Sequence, residues 1–82
     1  MINNSKKEVS ELVLKIGERL QKTISEKGLK QKNVAHDANL DVENLRKYLK
    51  GRQEMRISTL LRIVEALEIS IEDLFDGLYD KK

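Results

Sequence analysis

Residues 31–50 read QKNVAHDANLDVENLRKYLK, from Gln31 to Lys50, and their spacing decides the fold. At helical spacing the stretch is two short helices joined by a tight turn. The first carries small or apolar residues at Val34, Ala35 and Ala38. The second carries them at Val42, Leu45, Tyr48 and Leu49. Between them, Asn39 tolerates the left-handed backbone that a sharp helix exit needs. Leu40 is placed to drop into the crevice between the helices. Asp41 is an N-cap residue whose carboxylate can accept free backbone N–H groups of the second helix. Ala35 has so little side chain that the second helix can cross close to it.

Outward from this centre, the apolar residues keep helical spacing. On the N-terminal side, Val9, Leu12, Val13, Ile16, Leu20 and Ile24 recur every three or four residues. They predict one amphipathic helix ending near Lys27, with Gly28 closing it. Ser5 followed by Glu8 is a capping-box pattern, so the helix is expected to begin at Ser5. On the C-terminal side, Gly51 ends the second short helix and Arg52 to Arg56 form a loop. Ile57, Leu60, Leu61, Val64 and Leu67 make the expected buried stripe of a fourth helix. Ser70 with Asp73 caps a short fifth one, with Ile71, Leu74, Phe75 and Leu78 as its apolar residues. Residues 1–4 and 80–82 are expected to be frayed ends.

Length and composition bound the possibilities. The chain has 82 residues, enough for one domain (1–82) and short for a large core. Aromatic residues make up 4% and Trp is absent, so the core must be aliphatic helix packing. With no Cys there is no disulfide, thiolate metal site or cysteine nucleophile. No apolar run reaches membrane-spanning length and no signal peptide is visible, which points to a cytoplasmic protein. No Gly-rich phosphate loop, metal cluster or nucleophile–base pair appears, so an enzyme is disfavoured and no cofactor is expected. His36, the single histidine, has no ligand partners at metal-binding spacing and reads as a surface residue.

Net charge is only +2, but its distribution is uneven. Residues 28–56 hold seven basic and four acidic residues, net +3. Residues 57–82 hold three basic and six acidic, net −3. A polyanion would therefore meet the middle of the chain. With Leu45 at the centre of the buried side of its helix, the opposite side is Glu43, Asn44, Arg46, Lys47 and Lys50. Such a helix is thin enough for a major groove. There Lys47 can donate to guanine, Glu43 can accept from the cytosine amino group, and Asn44 can reach a base edge or a phosphate. Val42, at the rim, can touch a thymine methyl. Lys32, Arg46, Lys50, Arg52 and Arg56 are candidates for phosphate contacts.

Two short helices around a sharp turn, with one matching helix before and two after, resemble the Cro and lambda-repressor family of helix-turn-helix DNA-binding domains. The resemblance runs from about Leu12 to Phe75. It is carried by Gly28-Leu29 with Gln31, Val34-Ala35, Leu45, Gly51, Leu60-Leu61, Ala66-Leu67 and Leu74-Phe75. It implies an all-α, compact five-helix fold with the helix-turn-helix at 31–50. It implies that the start of the second helix abuts a DNA phosphate, with Gln31 contacting the backbone. The first residues of the third helix and one a turn later, here Val42, Glu43 and Lys47, would read bases. It further implies a homodimer joined through the C-terminal end, at Leu74, Phe75, Leu78 and Tyr79, acting on a palindromic or pseudo-palindromic operator.

Three departures from the family pattern stand out. Lys30 occupies the place of an N-capping Ser or Thr, a loss of roughly 1 kcal/mol. Leu49 stands where a Glu is common. Glu68 stands where the fourth helix usually ends in Gly. The expected function is therefore a sequence-specific transcriptional regulator of double-stranded DNA. The alternative is a protein-interaction module or antitoxin-like partner that kept the fold with weak or no DNA binding. Asp41, Glu43 and the acidic C-terminal piece are the residues that keep the alternative open.

Overall fold

A computed structural model describes residues 10–78, and every element in it is helical. In order these are α1 (Glu11–Glu26), α2 (Gln31–Asp37), α3 (Val42–Leu49), α4 (Ile57–Leu67) and α5 (Ile71–Phe75). α1 starts later than the Ser5–Glu8 pattern suggests. Ser10 is extended (φ −65°, ψ 155°) and its hydroxyl accepts from the Val13 N–H at 3.3 Å. That satisfies a donor that an unbroken helix would have bonded internally. Ser5, Glu8 and Val9 lie outside the described residues.

The exits follow the residues present. α1 ends at Lys27 with Gly28 left-handed (φ 67°), and the Leu29 N–H returns to the Ile24 carbonyl at 3.0 Å. α2 ends at Ala38 with Asn39 left-handed (φ 60°). The Leu40 N–H reaches the Ala35 carbonyl at 2.8 Å. This bond reverses the chain within three residues and sets α3 against α2. Asp41 is the N-cap of α3 by backbone, but its carboxylate makes no capping bond, contrary to the sequence expectation. α2 likewise has no side-chain cap, as Lys30 implies. Glu68 takes the left-handed conformation (φ 59°) that the family pattern assigns to Gly. Ser70 caps α5 as expected, accepting from the Asp73 N–H at 3.0 Å.

The core is aliphatic. Leu20, Leu45, Ile63, Leu67 and Leu74 are almost wholly buried, one or more from each helix except α2. α2 contributes Val34, Ala35 and Ala38, so α3 and α4 can both approach it. Each large buried aliphatic stabilises the fold by about 1.5–3 kcal/mol. Leu49 is 3% exposed, so packing takes the place of the Glu common there. The stripe on α4 is displaced from the expected one. Ile63 is fully buried and Val64 and Leu67 follow it, whereas Ile57 is 76% and Leu61 42% exposed. On α1, Leu12 is also exposed rather than buried.

Two glycines fix how α1 meets α3. A Cβ on Gly17 would lie 2.6 Å from the Tyr48 carbonyl oxygen and 2.8 Å from that of Leu49. α1 therefore touches the last turn of α3 backbone to backbone. Gly51, left-handed at φ 68°, has the Leu14 Cα 3.2 Å from where its Cβ would be. These approaches at its C-terminal end, together with the packing of α2 against it, set the orientation of α3.

Candidate nucleic-acid interface

α3 is anchored on one side and free on the other. Leu45, Tyr48 and Leu49 are buried, while Glu43, Asn44, Arg46 and Lys47 are exposed and Val42 is half-buried at the rim. This is the division that the period of the sequence gives. All four residues expected to read bases, Val42, Glu43, Asn44 and Lys47, thus lie on one helix, and none of the described residues is laid over its outer side.

Of the residues expected to meet phosphates, Lys50 and Arg52 adjoin the end of that helix. Lys50 is the C-cap of α3, and the next residue, Gly51, turns the chain so that the Arg52 N–H bonds the Lys47 carbonyl at 2.9 Å. Arg56 is the N-cap of α4. Lys32, Lys50, Arg52 and Arg56 are exposed, and Gln31 is half-buried at the start of α2. One arrangement was not legible in the sequence. Arg46 Nε donates to Gln31 Oε1 at 3.3 Å, and Arg46 Nη1 donates to Glu43 Oε2 at 3.3 Å. Two residues expected to contact phosphates, Gln31 and Arg46, and one expected to read a base, Glu43, form one link between α2 and α3. The signal was there only in part: residues i and i+3 of a helix can pair, but the partner on α2 needs the tertiary fold.

Two further arginines hold the scaffold. Arg62 Nε donates to the Ala38 carbonyl at 3.1 Å, satisfying the end of α2 from α4. Arg19 on α1 donates to the carbonyls of Asp73 (3.1 Å), Leu74 (3.3 Å) and Asp76 (2.8 Å), closing the C-terminal end of α5. A cation at a helix C-terminus is doubly suited, as donor and as countercharge to the dipole. Both lie beside the apolar stripe of their helix, Arg19 before Leu20 and Arg62 before Ile63, which was the available clue.

The residues expected to join two subunits are Leu74, Phe75, Leu78 and Tyr79. Leu74 is fully buried within the single chain and presents no surface, and Leu78, 6% exposed, presents little. Tyr79 lies outside the described residues. Phe75 is half-buried, and the exposed apolar residues of the last two helices are Ile71 on α5 with Ile57 and Leu61 on α4. Among the described residues, no group of three His, Cys, Asp or Glu is placed to hold a metal ion, and no helix is long and apolar enough to cross a membrane. His36 is exposed.

A family model described as the Cro/C1-type helix-turn-helix DNA-binding domain matches residues 19–77. Solved structures with the same fold include the restriction-modification controller protein C.AhdI from Aeromonas hydrophila. It is 28% identical, with a TM-score of 0.73, covering 77% of this chain and 96% of that one. The wild-type restriction-modification controller protein C.Esp1396I is 29% identical, with a TM-score of 0.79 and coverage of 84% and 90%. A structure of the C.Esp1396I tetramer in complex with its natural 35 base-pair operator matches equally well, at 29% identity and a TM-score of 0.79 over 84% and 91%. A comparison with curated proteins found no match.

Proposed function

This chain belongs to the Cro/C1-type helix-turn-helix DNA-binding family, and on that premise we propose that it is a transcriptional regulator binding a two-fold operator as a homodimer in the cytoplasm. The observation that carries the reading is the free outer side of α3, with basic residues on its flanks and its inner side locked into the core. α3 enters the major groove. Val42, Glu43, Asn44 and Lys47 face base edges, and Gln31, Lys32, Lys50, Arg52 and Arg56 hold the phosphates. The solved relative on its natural operator supports this assignment. It is a binding protein rather than an enzyme.

A second copy pairs through the α4–α5 side. Ile57 and Leu61 lie one turn apart on α4, Ile71 and Phe75 one turn apart on α5, and α5 packs on α4. Pairing there leaves both α3 helices free to enter successive major grooves, with half-site centres ~34 Å apart. The acidic charge of the C-terminal piece stays away from the DNA. The competing protein-interaction reading leaned on Asp41, Glu43 and the acidic C-terminal piece, and the pairing of Glu43 with Arg46 removes one of those supports.

Selection of bound duplexes from random DNA by the full chain tests the proposal. The expected result is a two-fold consensus bound with an affinity that falls steeply with salt. Failure to enrich or shift any duplex at low salt overturns it.

A further inference from the structure

Glu43 poses a physical problem on the proposed DNA-binding helix. A duplex carries about one negative charge per 1.7 Å of its axis. An unpaired carboxylate pushed into its groove is repelled by that array and loses its water. The chain does not leave it unpaired. Arg46 lies three residues along α3, and its guanidinium spans the Glu43 carboxylate and the Gln31 side-chain oxygen, 3.3 Å from each. Among the described residues, Arg46 is the one cation of this face that is paired with a carboxylate.

We infer that Arg46 is a positioning residue for base reading: it holds Glu43 as a neutralised acceptor aimed at a cytosine amino group, and it is not itself a phosphate contact. The inference rests on the DNA-binding reading above and corrects the role that sequence chemistry gave Arg46. Three arguments carry it. The first is electrostatic. On the free surface such a pair contributes little, but it strengthens when docking expels water. The second is geometric. A carboxylate with a free rotor pays an entropic cost to be fixed, and Arg46 reduces that cost by tying Glu43 to a group on a second helix. The third is chemical. Cytosine shows its amino donor in the major groove, whereas adenine shows its amino group beside the N7 acceptor, which repels a carboxylate.

The same link orients Gln31. Its side-chain oxygen accepts from Arg46, so its amide N–H₂ is left as a donor directed away from Arg46. Gln31 then serves the phosphate with its nitrogen and the base-reading pair with its oxygen. Phosphate grip and base choice are coupled through one guanidinium.

The test is a set of binding constants on the operator recovered by selection and on its single-pair variants. The proteins are wild type, Glu43→Gln, Arg46→Met, Arg46→Lys and the double variant Glu43→Gln with Arg46→Met. Circular dichroism confirms that each variant is folded, since both side chains are exposed. In the wild type, replacing the C·G pair read by Glu43 weakens binding roughly 10- to 100-fold. Arg46→Met brings that ratio to within about threefold, while the pair read by Lys47 keeps its own ratio. Arg46→Lys restores the charge without the fork and recovers only part of the ratio. The double variant discriminates no worse than Arg46→Met alone. The inference is overturned if Arg46→Met weakens all duplexes by one factor and leaves the C·G ratio intact, which is the signature of a phosphate contact. It is overturned too if Glu43→Gln shifts no base preference. Wild-type protein that recovers no operator removes the DNA-binding reading itself, a separate and earlier failure.

Discussion

α3 and α4 are both amphipathic helices with one buried side, yet their outer sides are opposites. α3 shows Glu43, Asn44, Arg46 and Lys47 to solvent; α4 shows Ile57 and Leu61 together with Ser58, Arg62 and Glu65. The difference separates two kinds of surface. A charged outer side is legible at once, because charge is not buried without a partner. An apolar outer side is not, because periodicity reports only that a residue prefers to leave water. It does not report whether its own core or a second molecule receives it. Ile57 and Leu61 keep helical spacing with Leu60 and Val64, and spacing alone places them in the core. The register that packs is Ile63, Val64 and Leu67.

The register of α4 gives the largest expected effect. Ile63→Ala should destabilise the chain by about 2–5 kcal/mol, since the residue is fully buried. Ile57→Ala, at 76% exposure, should change the stability of the monomer by less than about 0.5 kcal/mol. Urea unfolding at a concentration where the protein is monomeric compares the two directly. Equal losses would restore the stripe expected from sequence and break the distinction between the faces.

Next is the use of the apolar face. Joint Ile57→Asp and Leu61→Asp substitution should leave a folded chain that sediments as a monomer at micromolar concentration. Operator affinity should fall roughly 10²-fold or more, because each half-site then binds without the gain of the linked second one. A double variant that remains dimeric moves the subunit contact elsewhere. The wild-type chain sedimenting as a monomer at every concentration removes the two-fold operator altogether.

On the charged face the effects are smaller and differ in kind. Lys47→Ala should cost about 1–3 kcal/mol and relax choice at one base pair, while Arg52→Ala should weaken all duplexes alike and lower the salt slope by about 1. Equal loss for Lys47→Ala on cognate and random DNA would count against base reading by that residue.

These two faces also mark where sequence sufficed. The helix-turn-helix was legible because its constraints are local: Ala35 under a crossing helix, Asn39 in a left-handed turn, Leu45 opposite Lys47. The five helices followed from apolar spacing, and Ser70 announced the cap it forms. The parts that escaped depend on residues distant in sequence. Gly17 reads as an unremarkable helix glycine until the Tyr48 and Leu49 carbonyls are seen against it. Arg19 and Arg62 read as solvated charges until the ends of α5 and α2 arrive beside them. Asp41 had the right chemistry for a cap and did not form one, so residue type licensed the bond without determining it.

The smallest expected effect compares the turns that end α2 and α4. Both need a left-handed residue, at φ 60° for Asn39 and φ 59° for Glu68. Asn bears that conformation at little cost, because its short polar side chain can bond locally. Glu has no such compensation, and a left-handed non-glycine residue carries roughly 1–2 kcal/mol of strain. Glycine removes the strain but loses more conformational freedom on folding. The net gain for Glu68→Gly is therefore about 0.5–1 kcal/mol, with Asn39→Gly close to neutral. Both residues are exposed, so no packing term obscures the comparison. Because Glu68 lies beside Lys27, Leu29 and Asp37 and not among the residues proposed to touch DNA, Glu68→Gly should leave DNA affinity unchanged while raising the urea midpoint. No gain in stability would mean that the Glu68 side chain makes a compensating interaction, and the two turns would then be equivalent in energy as well as in shape.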